Sequence, residues 1–292
     1  MRKMILFTLA LLCAARCAGA AAEPALYRAT GEGGGVCYVF GTIHVGTEKD
    51  GEALEKVFAA MDGCGELLTE VDMSRLNGID IAFLAQASRL LLPPWDSMSA
   101  HLGAETVRAV AEATGFPKAA LDRYAPAWAM SYLEVVSASE AGLESDWGTD
   151  RLLYAHSKEM GIGNKGMEEV SVQMDAALSF TDAYVLEAVR AWLDDCAAMR
   201  REIEGLHTLW LNGDEEALGA YVHAIAEDDG DGAGEMYEIM YVQRNRAFAR
   251  RCAEEILSGR RVMAAVGCAH LYGDDGILRL LEGMGFSVER VE

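Results

Sequence analysis

Short apolar runs rich in β-branched and aromatic residues stand near both ends of the chain and predict the strands of a sheet. The runs cover residues 26–30, 36–41, 66–71, 261–267 and 286–291. The first two flank a glycine-rich turn at 31–35, which is typical of a hairpin. A weaker run at 161–167 predicts that the chain crosses the sheet once more in its middle.

Elsewhere, apolar residues recur every three or four positions, which is the period of an amphipathic helix. The predicted helices cover residues 51–61, 79–92, 104–114, 126–141, 150–160, 170–178, 181–203, 214–226, 235–257 and 276–285. The acidic, glycine-rich segment 228–232 lacks the twelve-residue frame and closing glutamate of an EF-hand, and is therefore predicted to be a solvated loop.

The two ends of the chain follow the same order of strand, helix and strand, whereas the middle is mostly helical. This order predicts an α/β (α+β mixed) fold, with a central mixed sheet built from two related units at 24–75 and 260–292. The intervening segment 76–259 then forms a large helical insertion. We expect residues 23–292 to form a single domain.

Residues 1–20 have the pattern of a secretory signal peptide, with a basic start, an apolar core and small residues at the cleavage positions. We therefore expect an exported protein, periplasmic or secreted, with no stable membrane span after cleavage; the alternative is an uncleaved anchor. Five cysteines remain in the mature chain. Cys37 with Cys64 and Cys196 with Cys252 are possible disulfides, and buried free thiols are an equally open alternative.

The mature chain is strongly acidic. Without the three basic residues of the predicted signal peptide, 22 basic and 46 acidic side chains leave a formal net charge of −24. Such a surface repels nucleic acid and anionic lipid, although the charge does not name a partner. The expected partner, a peptide or a small-molecule substrate, follows from the motifs described below. The same surface binds cations adventitiously, and this complicates any assignment of a metal site.

Two of the predicted strands end in the same motif, a glycine followed three positions later by a histidine. Gly41 precedes His44, and Gly267 precedes His270. Ligands bind at the C-terminal ends of strands in open α/β sheets, so the two histidines could converge there if their strands are neighbours. Alternatively, each histidine caps its own strand. Glu70 ends the strand that follows the first motif, and we expect that strand to lie parallel and adjacent to it.

Two histidines and one carboxylate around an open position are the recurring ligand set of catalytic divalent-metal sites. His44, His270 and Glu70 are the candidate ligands, and a bound metal would lower the pKa of a water molecule and polarise a carbonyl group. Glu168 or Asp72 could then act as general base. Taken alone, Glu70 is better explained as a solvated carboxylate at a strand end.

These motifs resemble the TraB/PrgY/GumN family, which includes the Tiki proteases. The resemblance rests on the first motif with Glu70, on Asp150 with Glu168, and on Arg244 with the second motif, in the family's order over nearly the whole mature chain. It implies a mixed sheet from two related α/β units with helical insertions. The chain departs from the family pattern at Gln243, where relatives carry an acid, and at Cys268, where they carry a smaller residue.

The Tiki branch implies a metal-dependent peptidase that uses the two histidines, a glutamate and an arginine. Carried over, these are His44, His270, Glu70 and Arg244, with Arg244 binding a substrate carboxylate or a developing oxyanion. The metal would be Mn, Co, Fe or Zn. Two alternatives remain, namely a non-catalytic protein that sequesters a peptide or small molecule in the same cleft, and a haem or metal carrier.

Overall fold

The structure is a computed structural model that describes residues 23–76 and 81–292. The predicted signal peptide lies outside the described residues, as does the start of the helix predicted from residue 79. The prediction of one domain over 23–292 stays a prediction. No helix among the described residues has the length and apolar character needed to cross a membrane.

Within the described residues, six strands form one mixed sheet in the order β4-β3-β5-β2-β1-β6. The strands are β1 Leu26–Thr30, β2 Val36–Thr42, β3 Glu66–Thr69, β4 Gly163–Gly166, β5 Arg261–Gly267 and β6 Ser287–Arg290. The strands β4, β3, β5 and β2 run parallel. On the other side of β2, the strand β1 pairs antiparallel with β2, and the last strand β6 pairs antiparallel with β1. The predicted α/β class with a mixed sheet is therefore confirmed.

One predicted neighbour relation is wrong. The strand β3 is parallel to β2, but it is not adjacent to it, because β5 lies between them and pairs with both. The strand from the far end of the chain thus fills the centre of the sheet. This arrangement sets the second histidine motif directly beside the first and also beside the strand that leads into Glu70.

Helices cover both faces of the sheet, and the alternating side chains of β2 show how. Cys37 and Val39 face one core, with Phe248 and Ile256. Tyr38 and Phe40 face the other, together with Leu54, Leu153 and Trp210. Successive side chains of a strand point to opposite faces, so this near-continuous apolar run is buried on both sides.

The helices have the following bounds: α1 Glu55–Met61, α2 Ile81–Ala87, α3 Met98–Leu102, α4 Ala104–Thr114, α5 Lys118–Leu121, α6 Pro126–Glu140, α7 Thr149–Met160, α8 Val170–Ala177, α9 Asp182–Asp194, α10 Cys196–Leu211, α11 Glu215–Ala226, α12 Ala233–Tyr237, α13 Gln243–Leu257 and α14 Ile277–Gly283. The insertion has a core of its own, where α3, α4, α6 and α9 bury Met98, Val107, Leu133, Val185 and Trp192.

Two long predicted helices are interrupted. The helix expected over 181–203 divides into α9 and α10 at Asp195, whose backbone leaves the helical region with φ −146° and ψ 80°. The helix expected over 235–257 contains a π-helical turn at Glu238–Val242, between α12 and α13. Such turns occur frequently at functional sites, and this one directly precedes Arg244.

All five cysteines in the described part of the chain are free thiols. Neither of the two disulfides considered from the sequence is formed, and Cys196 is the one among them that is exposed.

Candidate functional site

The ends of three parallel strands bring the predicted site residues to one edge of the sheet. Glu70 directly follows β3, His44 follows β2 by two residues, and His270 ends a short 3-10 turn after β5. The two motifs approach closely, because a Cβ atom on Gly41 would lie 2.9 Å from the Cα atom of Cys268. Any residue with a side chain at position 41 would push the two loops apart.

Arg244 lies at the centre of this edge, and its side chain is 7% exposed. Its Nη2 donates to Glu70 Oε2 at 2.7 Å and to Glu168 Oε1 at 2.6 Å, and its Nε donates to Glu168 at 3.0 Å. Its Nη1 lies 3.2 Å from the carbonyl oxygen of Met240 and 3.3 Å from His270 Nε2. A guanidinium group has five N–H donors, and these contacts use all of them. The geometry therefore favours a role for Arg244 in holding the site together, and its predicted oxyanion role stays a prediction.

Glu70 is held on all sides. Its Oε1 accepts the backbone N–H of Gly267 at 2.7 Å, and its Oε2 accepts from Gln173 Nε2 at 2.9 Å as well as from Arg244. Burial would raise the pKa of Glu70, but the neighbouring positive charges and the Gly267 N–H outweigh it and hold the pKa at about 2. Glu70 is therefore an anion at every pH at which the protein is expected to work.

The hydrogen-bond network decides the tautomer of His270. Asn245 Nδ2 donates to the carbonyl oxygen of Asp275 at 2.8 Å, so Asn245 Oδ1 faces His270 Nδ1 at 2.6 Å and must accept a proton from it. Nε2 then carries the lone pair and faces Arg244. Burial lowers the pKa of His270 to about 4, so the ring is neutral near pH 7.

His44 differs from His270, because its side chain is 70% exposed and lines a cavity. Its Nδ1 lies 3.6 Å from Asp150 Oδ2, and this carboxylate raises the pKa of His44, although contact with solvent limits the shift. The loop is fixed by the buried Thr149, whose hydroxyl accepts the N–H of Ile43 at 3.0 Å. Gly148 is required there, because a Cβ atom would lie 2.6 Å from the carbonyl oxygen of His44.

The two candidate bases have different surroundings. Glu168 is 5% exposed and tied to Arg244, and burial raises the pKa of its carboxyl group. Asp72 instead caps a short 3-10 turn by accepting the N–H of Ser74 at 2.9 Å. Neither residue lines the cavity, but Glu168 is joined to the site through Arg244.

A cavity of about 740 Å³ opens above this edge, between the sheet and the helical insertion. His44, Glu70, Arg244 and His270 lie on its floor. Helices α6, α9, α10 and α11 contribute its walls, which are mostly apolar. Such a cavity, with a few polar groups at one end, has the form of a small-molecule site.

The donor atoms do not fit a divalent metal in this arrangement. His270 Nε2 and Glu70 Oε1 are 3.9 Å apart, which two bonds of about 2.0–2.2 Å could span. However, Arg244 Nη1 lies 3.3 Å from the same Nε2 and donates to the lone pair that a metal would need. No three His, Cys, Asp or Glu side chains converge on a metal position anywhere in 23–76 and 81–292. The positive charge at this edge is that of Arg244.

Three other histidines contact carboxylates, as expected for structural residues. His101 bridges Asp96 and Asp182, His156 contacts Asp62, and His207 contacts Asp50. Of these three, His207 also lines the cavity. Sequence reasoning missed Asn245, Gln173 and Glu134 as parts of the site. Asn245 had the only usable signal, its position beside Arg244 in the family motif.

The sheet and this edge define an α/β protein with paired strand–glycine–histidine loops beneath a helical insertion. Residues 25–290 match the model of the TraB/PrgY/gumN family. The chain therefore belongs to that family, as its motifs predicted. No curated protein and no solved structure is similar enough to the chain to count as a match.

Proposed function

We propose that this protein is an exported hydrolase, in the first instance a peptidase, that acts on a substrate bound in the cavity. The observation that carries the proposal is the convergence of His44, Glu70, His270 and Arg244 on the floor of one large apolar cavity. A purely structural role would not require the ring of His44 to be exposed in the cavity with the carboxylate of Asp150 beside it.

His44 is the group that can exchange a proton with a substrate, because its ring is exposed in the cavity while His270 is 5% exposed. In hydrolysis, the neutral form of His44, which predominates only above its raised pKa, takes a proton from the water that attacks the carbonyl carbon. The carbon–nitrogen bond then breaks, and His44 returns the proton to the leaving nitrogen. Asp150 stabilises the imidazolium that exists between these two steps, as the acidic member of a catalytic triad does.

Arg244, Glu70 and Glu168 act through position and charge. Together they carry one positive and two negative charges, packed with little access to solvent. They hold His270 and the Gly267 loop in place beneath the substrate. The sequence-based expectation of a divalent ion held by His44, His270 and Glu70 stays a prediction, and no step above depends on it.

The test is turnover of a quenched-fluorescence peptide library by the purified chain without its first twenty residues, compared with the His44→Ala and Asp150→Asn variants. We expect turnover by the wild type, a loss of at least about 100-fold in His44→Ala, and a smaller loss in Asp150→Asn. The matched control is His223→Ala, since His223 is 69% exposed on α11 and absent from the cavity lining. Equal turnover in His44→Ala and in the control would refute the role of His44.

Metal content and chelation are measured on the same preparations. Stoichiometric Mn, Co, Fe or Zn, lost together with activity in His270→Ala, would mean that Arg244 gives way to a metal in the working enzyme. Saturable peptide binding with no turnover in any condition would instead favour the binding-protein alternative.

A further inference from the structure

The lining of the cavity, apart from the histidines, combines apolar and acidic side chains. Its apolar part includes Met130, Phe180, Met199, Met236 and Met240. Methionine is flexible and polarisable, so such a wall can adapt to apolar ligands of various shapes. The cavity is thus suited to a molecule with an apolar body.

The charge of the lining is one-sided. Among the described residues that line the cavity, five are acidic, namely Glu70, Glu134, Glu187, Glu202 and Asp228. Arg244 is the single Lys or Arg in the same lining, and its donors are all used by Glu70, Glu168, His270 and Met240. Low-dielectric walls focus such a field, so the cavity attracts cations and repels anions.

Glu134 on α6 interacts with one positive group of the described protein, His44, and does so through charge alone. Glu202 accepts from Tyr221 and Asp228 accepts from Tyr184, whereas Glu134 makes no hydrogen bond or ion pair with any described residue. Its carboxylate meets the solvent of the cavity, yet the surrounding protein desolvates it enough to raise its pKa. A carboxylate without a hydrogen-bonded cation of the protein, at the surface of an apolar cavity, is available to a cation that the ligand brings with it.

A second polar group is available at the floor. Thr42 is 3% exposed, lines the cavity, and its hydroxyl has no hydrogen-bond partner among the described residues. The oxygen is not among the fully buried unpaired atoms of these residues, so it is open to the cavity and can bond to a ligand there. Thr42 belongs to the strand that carries His44, which places it at the reacting end of the cavity.

Tyrosine rings complete the acidic wall. Tyr184, Tyr221 and Tyr241 line the cavity together with Glu134, and the charge of Glu134 contributes to the raised pKa of each. Aromatic faces attract organic cations through the negative charge of their π-systems. Carboxylate and aromatic rings together favour an ammonium or guanidinium group over a small, strongly hydrated metal ion.

We propose that the cavity selects apolar molecules that carry one amine or guanidinium group, with Glu134 as the residue that binds this cation and Thr42 as a hydrogen-bonding contact at the reacting end. This inference rests on the proposed function, because it names the class of substrate that the proposed hydrolase would act on. For a peptidase, the class is a short apolar peptide with its free amino group or a basic side chain in the acidic wall.

Binding of three probes with the same apolar body tests the inference without any need for turnover. They are 4-phenylbutylamine, which is cationic at pH 7, 4-phenylbutanol and 4-phenylbutyrate, measured by calorimetry on the full mature chain. We expect the amine to bind at least about tenfold tighter than the alcohol, a difference of about 1.4 kcal/mol, and the carboxylate to bind weakest. Equal affinity of amine and alcohol would overturn the inference.

Glu134→Gln should reduce the preference for the amine over the alcohol to about twofold or less, while the affinity for the alcohol stays within about twofold. Glu140→Gln is the matched control, because Glu140 lies on the same helix, is exposed, and is absent from the lining. If Glu134→Gln keeps the wild-type preference for the amine over the alcohol, the role of Glu134 is refuted. Displacement of the amine by equimolar Mg²⁺ would refute it as well. If Glu134→Gln does not fold, Glu134→Ala replaces it.

The two proposals fail separately. Amine-selective binding without hydrolysis would overturn the hydrolase and leave the cation subsite intact. Hydrolysis of neutral and basic peptides at equal rates, with equal probe binding, would overturn the subsite and leave the hydrolase intact.

Discussion

Replacing Arg244 with methionine should destabilise the fold strongly at pH 8. The substitution keeps an apolar stem of similar length and removes the cation between Glu70 and Glu168, whose side chains are 12% and 5% exposed. Breaking a buried pair by removing one partner costs about 3–5 kcal/mol, because the remaining charge stays buried without compensation. Two carboxylates are left here, so we expect at least about 3 kcal/mol of lost unfolding free energy.

The pH dependence of that loss identifies its cause. Without Arg244, the pKa values of Glu70 and Glu168 in the folded variant should rise above those of the unfolded chain. The folded variant then binds more protons than the unfolded chain, so its stability falls as pH rises. Urea unfolding followed by tryptophan fluorescence should therefore give a larger difference from the wild type at pH 8 than at pH 5.5.

The matched control is Arg246→Met on the same helix. Arg246 is 53% exposed, and its carboxylate contacts are 3.8 and 3.9 Å long, so its loss should cost less than about 1 kcal/mol at either pH. A second arm combines Arg244→Met with Glu168→Gln, which should recover part of the loss. The reasoning is refuted if Arg244→Met costs under 1 kcal/mol at pH 8, or if its cost does not change between the two pH values.

Three further substitutions test other contacts, each by urea unfolding. Thr149→Val should cost about 1–3 kcal/mol, because it leaves the Ile43 N–H beside His44 without its acceptor, whereas the exposed Thr208→Val should be nearly neutral. His101→Gln should cost more unfolding free energy at pH 5.5 than at pH 8.5. Asp96 and Asp182 raise the pKa of His101, so the stabilisation by the protonated ring is lost as pH rises. An equal cost at the two pH values would contradict this prediction. Glu202→Gln should gain stability relative to the wild type as pH rises from about 4.5 to about 8, because burial raises the pKa of Glu202 from the first value to the second. A loss of stability at pH 8 would show that Tyr221 needs the carboxylate.

The strand edge could be predicted from sequence because its signals are local. An apolar run that ends at Gly41 or Gly267, followed by a histidine, indicates a strand end with an exposed loop, and both strands are present. The place of β5 between β2 and β3 could not be predicted in this way. Pairing between strands from opposite ends of the chain depends on long-range packing, which no local pattern records.

Arg244 shows the same limit at the level of a side chain. It lies 174 residues from Glu70 in sequence, and the helix that carries it turns this face to the site only after packing on the sheet. A basic residue on a predicted helix reads as a solvated charge until its partners are known. The site could therefore be predicted as a set of residues, whereas the position of Arg244 between its partners could not.

The position of Arg244 also changes what the paired histidines imply. Related motifs on one strand edge suggest equivalent ligands, but His270 is buried, neutral and fixed by Asn245, while His44 is exposed beside Asp150. Two histidines in such different surroundings are suited to different tasks, one to holding Arg244 in place and the other to proton exchange with a ligand. His270→Ala should therefore lower stability more than His44→Ala does, whereas a shared metal would make the two variants lose bound metal alike.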